Sequence, residues 1–360
     1  MRILQLIQKK QLRGAEVFAS QISSHMKLGG HEVMMVALVD GPAKLPFPGE
    51  IICLNANVSK KLFDIPAWKK LRNIIKEFNP DIVQANAADT LKYAIFSRML
   101  YKWKAPVVFR NASVISRYLK SPVSKALTRF LVGRADHIAS VSTVSAKDIR
   151  SLFPINEKKV TVIPIGIESV SLNKLSIFNN GMKNIVHVGG FTFEKNHEGI
   201  LRIFSKCLAR ENGLMLWLVG EGPLRKKVET LVAEMGLREK VIFTGHVNNP
   251  LDHIFSGDVC ILPSIIEGLP GVVAEAFYCR VPMIAYNVGG ITDLIKDGIN
   301  GWLVNPGDEA AFAERILDVV EMDSDNKQMV TDAAFKTVTE EFQNAELANR
   351  FLELYRSLQA

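Results

Sequence analysis

The stretch VCILPSIIEGLPGVVAEAFY, residues 259–278, decides how this chain is read. It opens on a four-residue apolar run, VCIL, with the length and composition of a strand buried on both faces. Pro-Ser closes the run, a loop carries Glu267, and GVVAEAFY follows at helical composition. A helix starting near Pro270 or Gly271 points its unpaired N–H groups beyond the strand's carboxyl end, and its dipole favours an anion there. Proline in the first turn, with glycine beside it, suits close approach of backbone to a ligand. A pyrophosphate fits that position. Glu275, about one turn into the helix, then accepts from ribose hydroxyls, and Glu267 reaches a sugar ring or its leaving centre.

Working outward, short β-branched or apolar runs alternate with longer amphipathic stretches. Strands are predicted at 3–7, 32–38, 51–54, 82–85, 107–110, 137–141 and 160–163, then at 185–188, 214–219, 241–244, 259–262 and 283–286. Helices fall between them, for example at 15–27 and 67–78. This rhythm is parallel α/β architecture. The 360 residues, 48% apolar and 22% charged, are ordinary globular material for two domains. The polar stretch 169–183 reads as a linker, between a first doubly wound domain at 1–168 and a second at 184–340. The last segment, 341–360, reads as an amphipathic helix packing back toward the first domain. Cys53, Cys207, Cys260 and Cys279 show no C-x-x-C pair and no histidine at ligand spacing, and are expected to be buried, reduced thiols.

The strand–PS–x–x–EGLP–helix segment resembles the E-x7-E signature of the group 1 glycosyltransferases, glycosyltransferase family 4. VGGFTFEKNH at 188–197, VGEGPL at 219–224, VIFTG at 241–245 and GGITDLIKDGINGWLVNPGD at 289–308 are similar to that family's segments in the same order, so the likeness covers nearly all of 185–310. It implies the GT-B fold, two Rossmann-like domains facing each other across a cleft, the second holding a nucleotide sugar and the first an acceptor. It further implies a donor site of Gly189, Gly190, Lys195, Glu221, Glu267, Gly268, Leu269, Pro270, Gly271 and Glu275. Lys195 and Glu267 carry the catalytic roles of donor positioning and stabilisation of the departing diphosphate. Retention of anomeric configuration follows from the same resemblance, with no cofactor and no metal. One position departs from the family: where an arginine is usual in the glycine turn, this chain has Gly190.

In the first half, LRGAE at 12–16 resembles the family's GGAE turn, which brings Gly14 to the donor's phosphates and transferred sugar. The family's sugar-contacting histidine has no counterpart, since the corresponding neighbourhoods read VQANAADT and VVFRNASVISRY. Sugar or acceptor contact is therefore assigned to Asn86, Arg110 and Asn111. The halves also differ in charge. Residues 1–175 hold 27 Lys/Arg against 12 Asp/Glu, and the remainder 17 against 25. From Lys92 to Arg134 there are 10 basic residues and no acidic one, interleaved with Tyr93, Phe96, Tyr101, Trp103, Phe109, Tyr118 and Phe130. Such a stretch suits anionic lipid or a phosphorylated, lipid-linked acceptor, or is a solvated helix surface. No nucleic-acid module accompanies it. The start, MRILQLIQ, leads straight into a strand and leaves no room for a signal peptide. A cytoplasmic protein is expected, peripheral at the inner membrane face.

A nicotinamide-dependent oxidoreductase would need G-x-G-x-x-G after a strand, and neither RGAE nor VGEGPL supplies it. A sugar-nucleotide epimerase or hydrolase would leave the basic first half unexplained. The non-enzyme alternative is a catalytically weak or silent nucleotide-sugar-binding partner subunit. Asp323-Ser-Asp325 has the form of a D-x-D metal motif, but follows a helix in a polar loop and is not read as one.

Overall fold

The computed structural model describes residues 1–57, 63–179 and 181–359, so Asn180 of the expected linker and Ala360 of the expected last helix lie outside the described residues. The chain divides into two compact units: Met1–Glu168 with Gln343–Ala360, and Ser169–Phe342.

The first unit runs β1 (Arg2–Lys9), α1 (Gly14–Leu28), β2 (Glu32–Val39), β3 (Ile51–Cys53), α2 (Ile65–Phe78), β4 (Ile82–Ala85), α3 (Ala88–Tyr101), β5 (Val107–Asn111), α4 (Pro122–Gly133), β6 (His137–Ser140), α5 (Thr143–Leu152) and β7 (Val160–Val162). Among the described residues its sheet has the order β3-β2-β1-β4-β5-β6-β7, every pairing parallel. Alternation along the strands sorts the core into two layers. Leu4, Leu6, Val83 and Phe109 pack toward Leu71, Ile95 and Leu131, whereas Ile3, Ile82 and Val108 pack toward Phe18, Ile22 and Phe351. Local signals set the helix ends. Asp64 caps α2, accepting from the Ala67 N–H at 3.4 Å, with proline at the helix start, and Asn79 ends it in the left-handed region at φ 45°.

The second unit runs β8 (Lys183–Val188), α6 (His197–Leu208), β9 (Leu214–Val219), α7 (Arg225–Glu234), β10 (Val241–Gly245), α8 (Pro250–Ser256), β11 (Val259–Leu262), α9 (Gly271–Tyr278), β12 (Met283–Tyr286), β13 (Trp302–Val304), α10 (Glu309–Glu321) and α11 (Ser324–Glu341). Its sheet order is β10-β9-β8-β11-β12-β13, again parallel. β13 was not anticipated as a strand. Its three residues sit inside a glycine-rich segment and carry too little alternation to be seen.

The described residues of the expected linker, 169–179 and 181–183, belong to the second unit. Phe178 stacks on Trp217 at 4.1 Å between ring centroids, and the Val170 N–H and carbonyl both bond the Tyr278 hydroxyl at 3.0 Å. The Asn173 N–H donates to Asp252 at 2.8 Å. The C-terminal region is two helices. α11 ends at Glu341, and after an extended break α12 (Asn344–Ser357) belongs to the first unit, against α1. No proline or glycine marks that break in the sequence, which hides it, although Phe342 and Leu347, five positions apart, do not share a helix face. At the break Ile167 forms a parallel bridge with Gln343, and the Asn344 N–H donates to the Ile167 carbonyl at 3.2 Å. Asp323 is the N-cap of α11, accepting from the Asn326 N–H at 2.9 Å, which gives the D-x-D sequence a local structural use. Cys207, Cys260 and Cys279 are buried free thiols, whereas Cys53 is half-buried and hydrogen-bonds Asp40. No described helix is long and apolar enough to cross a membrane.

Candidate functional site

In a parallel sheet whose order reverses, neighbouring strands send their following loops in opposite directions, and a crevice opens beyond their carboxyl ends. In the second unit that reversal falls between β8 and β11. Lys195 follows β8, Glu267 follows β11, and there they meet: Lys195 Nζ lies 2.6 Å from Glu267 Oε1. Glu267 is 9% exposed. The two loops are laced together, the Ile265 N–H donating to the Glu194 carbonyl at 2.9 Å and Asn196 Nδ2 to the Pro263 carbonyl at 3.0 Å. Asn196 is also the N-cap of α6, left-handed at φ 54°.

Beside this ion pair the main chain is left unpaired. α9 begins at Gly271 after Pro270, which makes no side-chain cap. The N–H groups of Gly268, Leu269, Gly271 and Val272 have no acceptor among the described residues. These donors, with the α9 dipole, form an anion cradle. Glu275 lies one turn into α9, half-buried, with no hydrogen-bond partner among the described residues. Burial pushes its carboxyl up to about 7, and the Lys195 charge offsets part of that rise.

Glycines allow the turns to stack. Gly289, at φ +56°, would put a Cβ 1.9 Å from the Glu267 carbonyl oxygen, and the next N–H, of Gly290, donates to the Gly268 carbonyl at 2.9 Å. Gly220 likewise would set a Cβ 2.2 Å from the Gly189 carbonyl. Gly190 differs from both: its nearest neighbour to a Cβ is the Glu221 carbonyl at 3.4 Å, ordinary contact. The Glu221 carbonyl accepts from the Phe191 N–H at 3.0 Å, and its carboxylate is ion-paired with Arg225, which also holds Glu229 at 2.7 Å. The sequence reading missed Gly289, Asn196, Arg225 and two buried histidines under the glycine turn. His187 Nδ1 bonds the Ile261 carbonyl at 3.0 Å, and the His197 ring stacks on Phe191 at 4.0 Å. Burial drives His187 well below its ordinary value and His197 to about 4, so both are neutral at pH 7. Lys195 is thus the cation at this turn.

In the first unit the reversal lies between β1 and β4. Gly14 is exposed at the start of α1, with open space where a Cβ would stand, and the N–H groups of Gly14, Ala15 and Glu16 have no partner among the described residues. The expected contacts Asn86, Arg110 and Asn111 lie in the interior of the first unit. They are 2%, 1% and 1% exposed. Asn86 Nδ2 donates to Gln5 Oε1 at 2.9 Å and its Oδ1 accepts from Gln84 at 2.9 Å. Asn111 Nδ2 donates to the Ser145 carbonyl at 3.3 Å. Arg110 lies over the Phe18 ring at 4.4 Å. β5 is buried along its whole length, so Arg110 and Asn111 are enclosed on opposite faces of the sheet, a consequence that residue type alone does not reveal. Of the basic stretch, Lys102, Lys104, Arg117, Lys120, Lys125, Arg129 and Arg134 are exposed with Tyr118 and Val123, whereas Arg98 pairs with Asp136 and Lys92 with Asp89. Among the described residues no cluster of His, Cys, Asp and Glu is arranged to hold a metal ion.

Two doubly wound α/β units, one carrying unpaired main-chain N–H groups and carboxylates at its switch point, define a two-domain Rossmann-like α/β protein. The chain belongs to the group 1 glycosyltransferases: residues 173–336 match the model of glycosyl transferases group 1, and residues 12–169 match that of glycosyltransferase family 4. It is 29% identical over 236 residues to an uncharacterized glycosyltransferase of Methanocaldococcus jannaschii, a match covering 61% of this chain and 59% of that protein, less than two thirds of its length. It is 24% identical over 267 residues to the N-acetylgalactosamine-N,N'-diacetylbacillosaminyl-diphospho-undecaprenol 4-alpha-N-acetylgalactosaminyltransferase of Campylobacter jejuni, covering 72% of each. The fold matches that of Anabaena HepE in complex with UDP-glucose, with a TM-score of 0.87, 20% identity, and 99% of this chain and 100% of that one covered.

Proposed function

We propose that this protein is a metal-independent, retaining glycosyltransferase that moves a hexosyl-type sugar from a UDP- or GDP-linked donor to a glycan or lipid-linked acceptor in surface polysaccharide biosynthesis. The observation that carries the reading is the Lys195–Glu267 pair set beside four unpaired main-chain N–H groups and the unpartnered Glu275 carboxylate. A diphosphate entering the cradle draws Lys195 off Glu267. The ammonium then balances the charge that grows on the leaving diphosphate, and Glu267 is released to accept from hydroxyls of the transferred sugar. Glu275 takes the ribose hydroxyls. Departure of the diphosphate and attack by the acceptor on the same face need positioning and charge stabilisation rather than a protein nucleophile, and no residue is assigned as general base. UDP-glucose in the Anabaena structure and the diphospho-undecaprenol acceptor of the Campylobacter enzyme support the donor and acceptor classes. The exposed basic and apolar residues within 92–134 suit peripheral contact with an anionic membrane at its cytoplasmic face.

A second reading, a partner subunit that binds nucleotide sugar with little turnover, is favoured by Gly190, which leaves Lys195 without the arginine usual in the family. The test is a calorimetric and thermal-shift screen against UDP, GDP, ADP and their common sugar conjugates, repeated with Glu275→Ala. Selective binding by one nucleotide, lost in the variant, supports the donor pocket, and binding of none refutes it.

A further inference from the structure

Arg110 on β5 is a buried cation that makes no ion pair among the described residues. Its Nη1 reaches the Ala15 carbonyl at 3.5 Å, its guanidinium covers Phe18, and its Nε has no partner. Burial lowers it to about 10, so it stays charged at neutral pH. A charge held this way is costly unless something nearby needs it. Adjoining Ala15, whose carbonyl Arg110 reaches, is Glu16, 5% exposed in the first turn of α1. Its carboxyl is pushed up by burial, relieved by a 3.1 Å bond from Gln11 Nε2 and by the charges of Arg13 and Arg110. Ala15 and Glu16 belong to the 12–16 turn, the part of this unit that offers unpaired N–H groups to a ligand.

We infer that Arg110 is a positioning residue, holding the Gly14–Ala15–Glu16 turn in its ligand-facing shape from beneath by taking the Ala15 carbonyl and balancing the buried Glu16 charge, and touching no substrate itself. The inference rests on the proposed transferase reading only where the turn's use in transfer is concerned.

The experiment compares Arg110→Met, Arg110→Lys, the double variant Glu16→Gln/Arg110→Met, and Val108→Ala, a core truncation on the same face of β5. Hydrogen exchange is followed at the Val17 amide, which donates to the Arg13 carbonyl at 2.9 Å across the turn, UDP affinity by calorimetry, and turnover as UDP released from UDP-glucose. Arg110→Met should speed exchange at Val17 and lower turnover, each by about tenfold or more, with a smaller loss of UDP affinity because all but Gly14 of the expected donor residues belong to the other unit. Arg110→Lys, which keeps the charge and the fold, should fall between. Adding Glu16→Gln should restore much of the loss, since it removes the carboxylate left without its cation. Val108→Ala should move neither exchange in the turn nor turnover. Equal behaviour of Arg110→Met and Val108→Ala, or no rescue by Glu16→Gln, overturns the inference. If the native protein neither binds UDP nor releases it from UDP-glucose, the donor reading fails, and exchange in the turn still decides the role of Arg110.

Discussion

Glu275→Gln should make the protein more stable at pH 8 and worse at holding a nucleotide. Burial raises the folded carboxyl to about 7 from an ordinary 4.5, so between those values the folded chain binds a proton that the unfolded chain has released. Stability therefore falls as pH rises through that window and levels off above it. At 1.36 kcal/mol for each tenfold, the full penalty at pH 8 is about 3 kcal/mol. Glu275 keeps some solvent access, so about 1–3 kcal/mol is the range to expect. Glutamine carries no charge to desolvate. In a unit of this size the gain corresponds to about 2–4 °C in Tm for each kcal/mol, absent at pH 4.5 and full at pH 8. The same change removes a charge-assisted acceptor of hydroxyl donors, worth about 1.5–3 kcal/mol, so affinity for the cognate nucleotide should drop about tenfold or more. For the native protein, nucleotide binding should weaken as pH falls below about 7 and the carboxyl protonates. Thermal denaturation at pH 4.5, 6 and 8, with calorimetry on the same samples, measures both effects. A variant that melts lower than the native protein at pH 8, or binds nucleotide equally well, refutes the reasoning.

Gly190→Arg meets only ordinary contact at its Cβ, so it should fold with Tm within about 2 °C of native and raise nucleotide affinity by adding a second cation at the turn; calorimetry checks this. Gly289→Ala cannot keep its backbone, because the new Cβ would lie 1.9 Å from the Glu267 carbonyl; a stability loss of about 1–3 kcal/mol by denaturant melt should accompany loss of nucleotide binding. Lys195→Ala leaves Glu267 buried without its cation and removes the charge facing the leaving group, so turnover should fall by about a hundredfold or more in a nucleotide-release assay. A tenfold or smaller drop favours the nucleotide-holding partner instead.

What the sequence disclosed and what it hid follow from one distinction. Residues that act through chain position were visible. The strand–turn–helix order around Glu267 and Glu275 places a helix start beyond a strand end whatever the rest of the protein does, and the anion cradle comes with it. Residues that act through a meeting of distant segments were not visible. Gly289 lies 22 positions from Glu267, and only the folded turn shows that glycine is needed there for closeness to that carbonyl as well as for its φ. Arg110 shows the same limit from the other side. Its residue type and its place near a strand end suited a ligand contact, yet alternation along β5 turned it into the layer beneath α1, where it reaches the Ala15 carbonyl and covers Phe18. The break at Phe342–Gln343 was hidden for a related reason. Apolar residues run on from α11 into α12 with no proline or glycine between them, and the chain's departure is set by main-chain pairing with Ile167, a partner 176 positions from Gln343. Composition and period therefore locate the elements and the local half of the candidate site. The supporting half, which decides how rigidly the ligand-facing turns are held, is a property of packing between them.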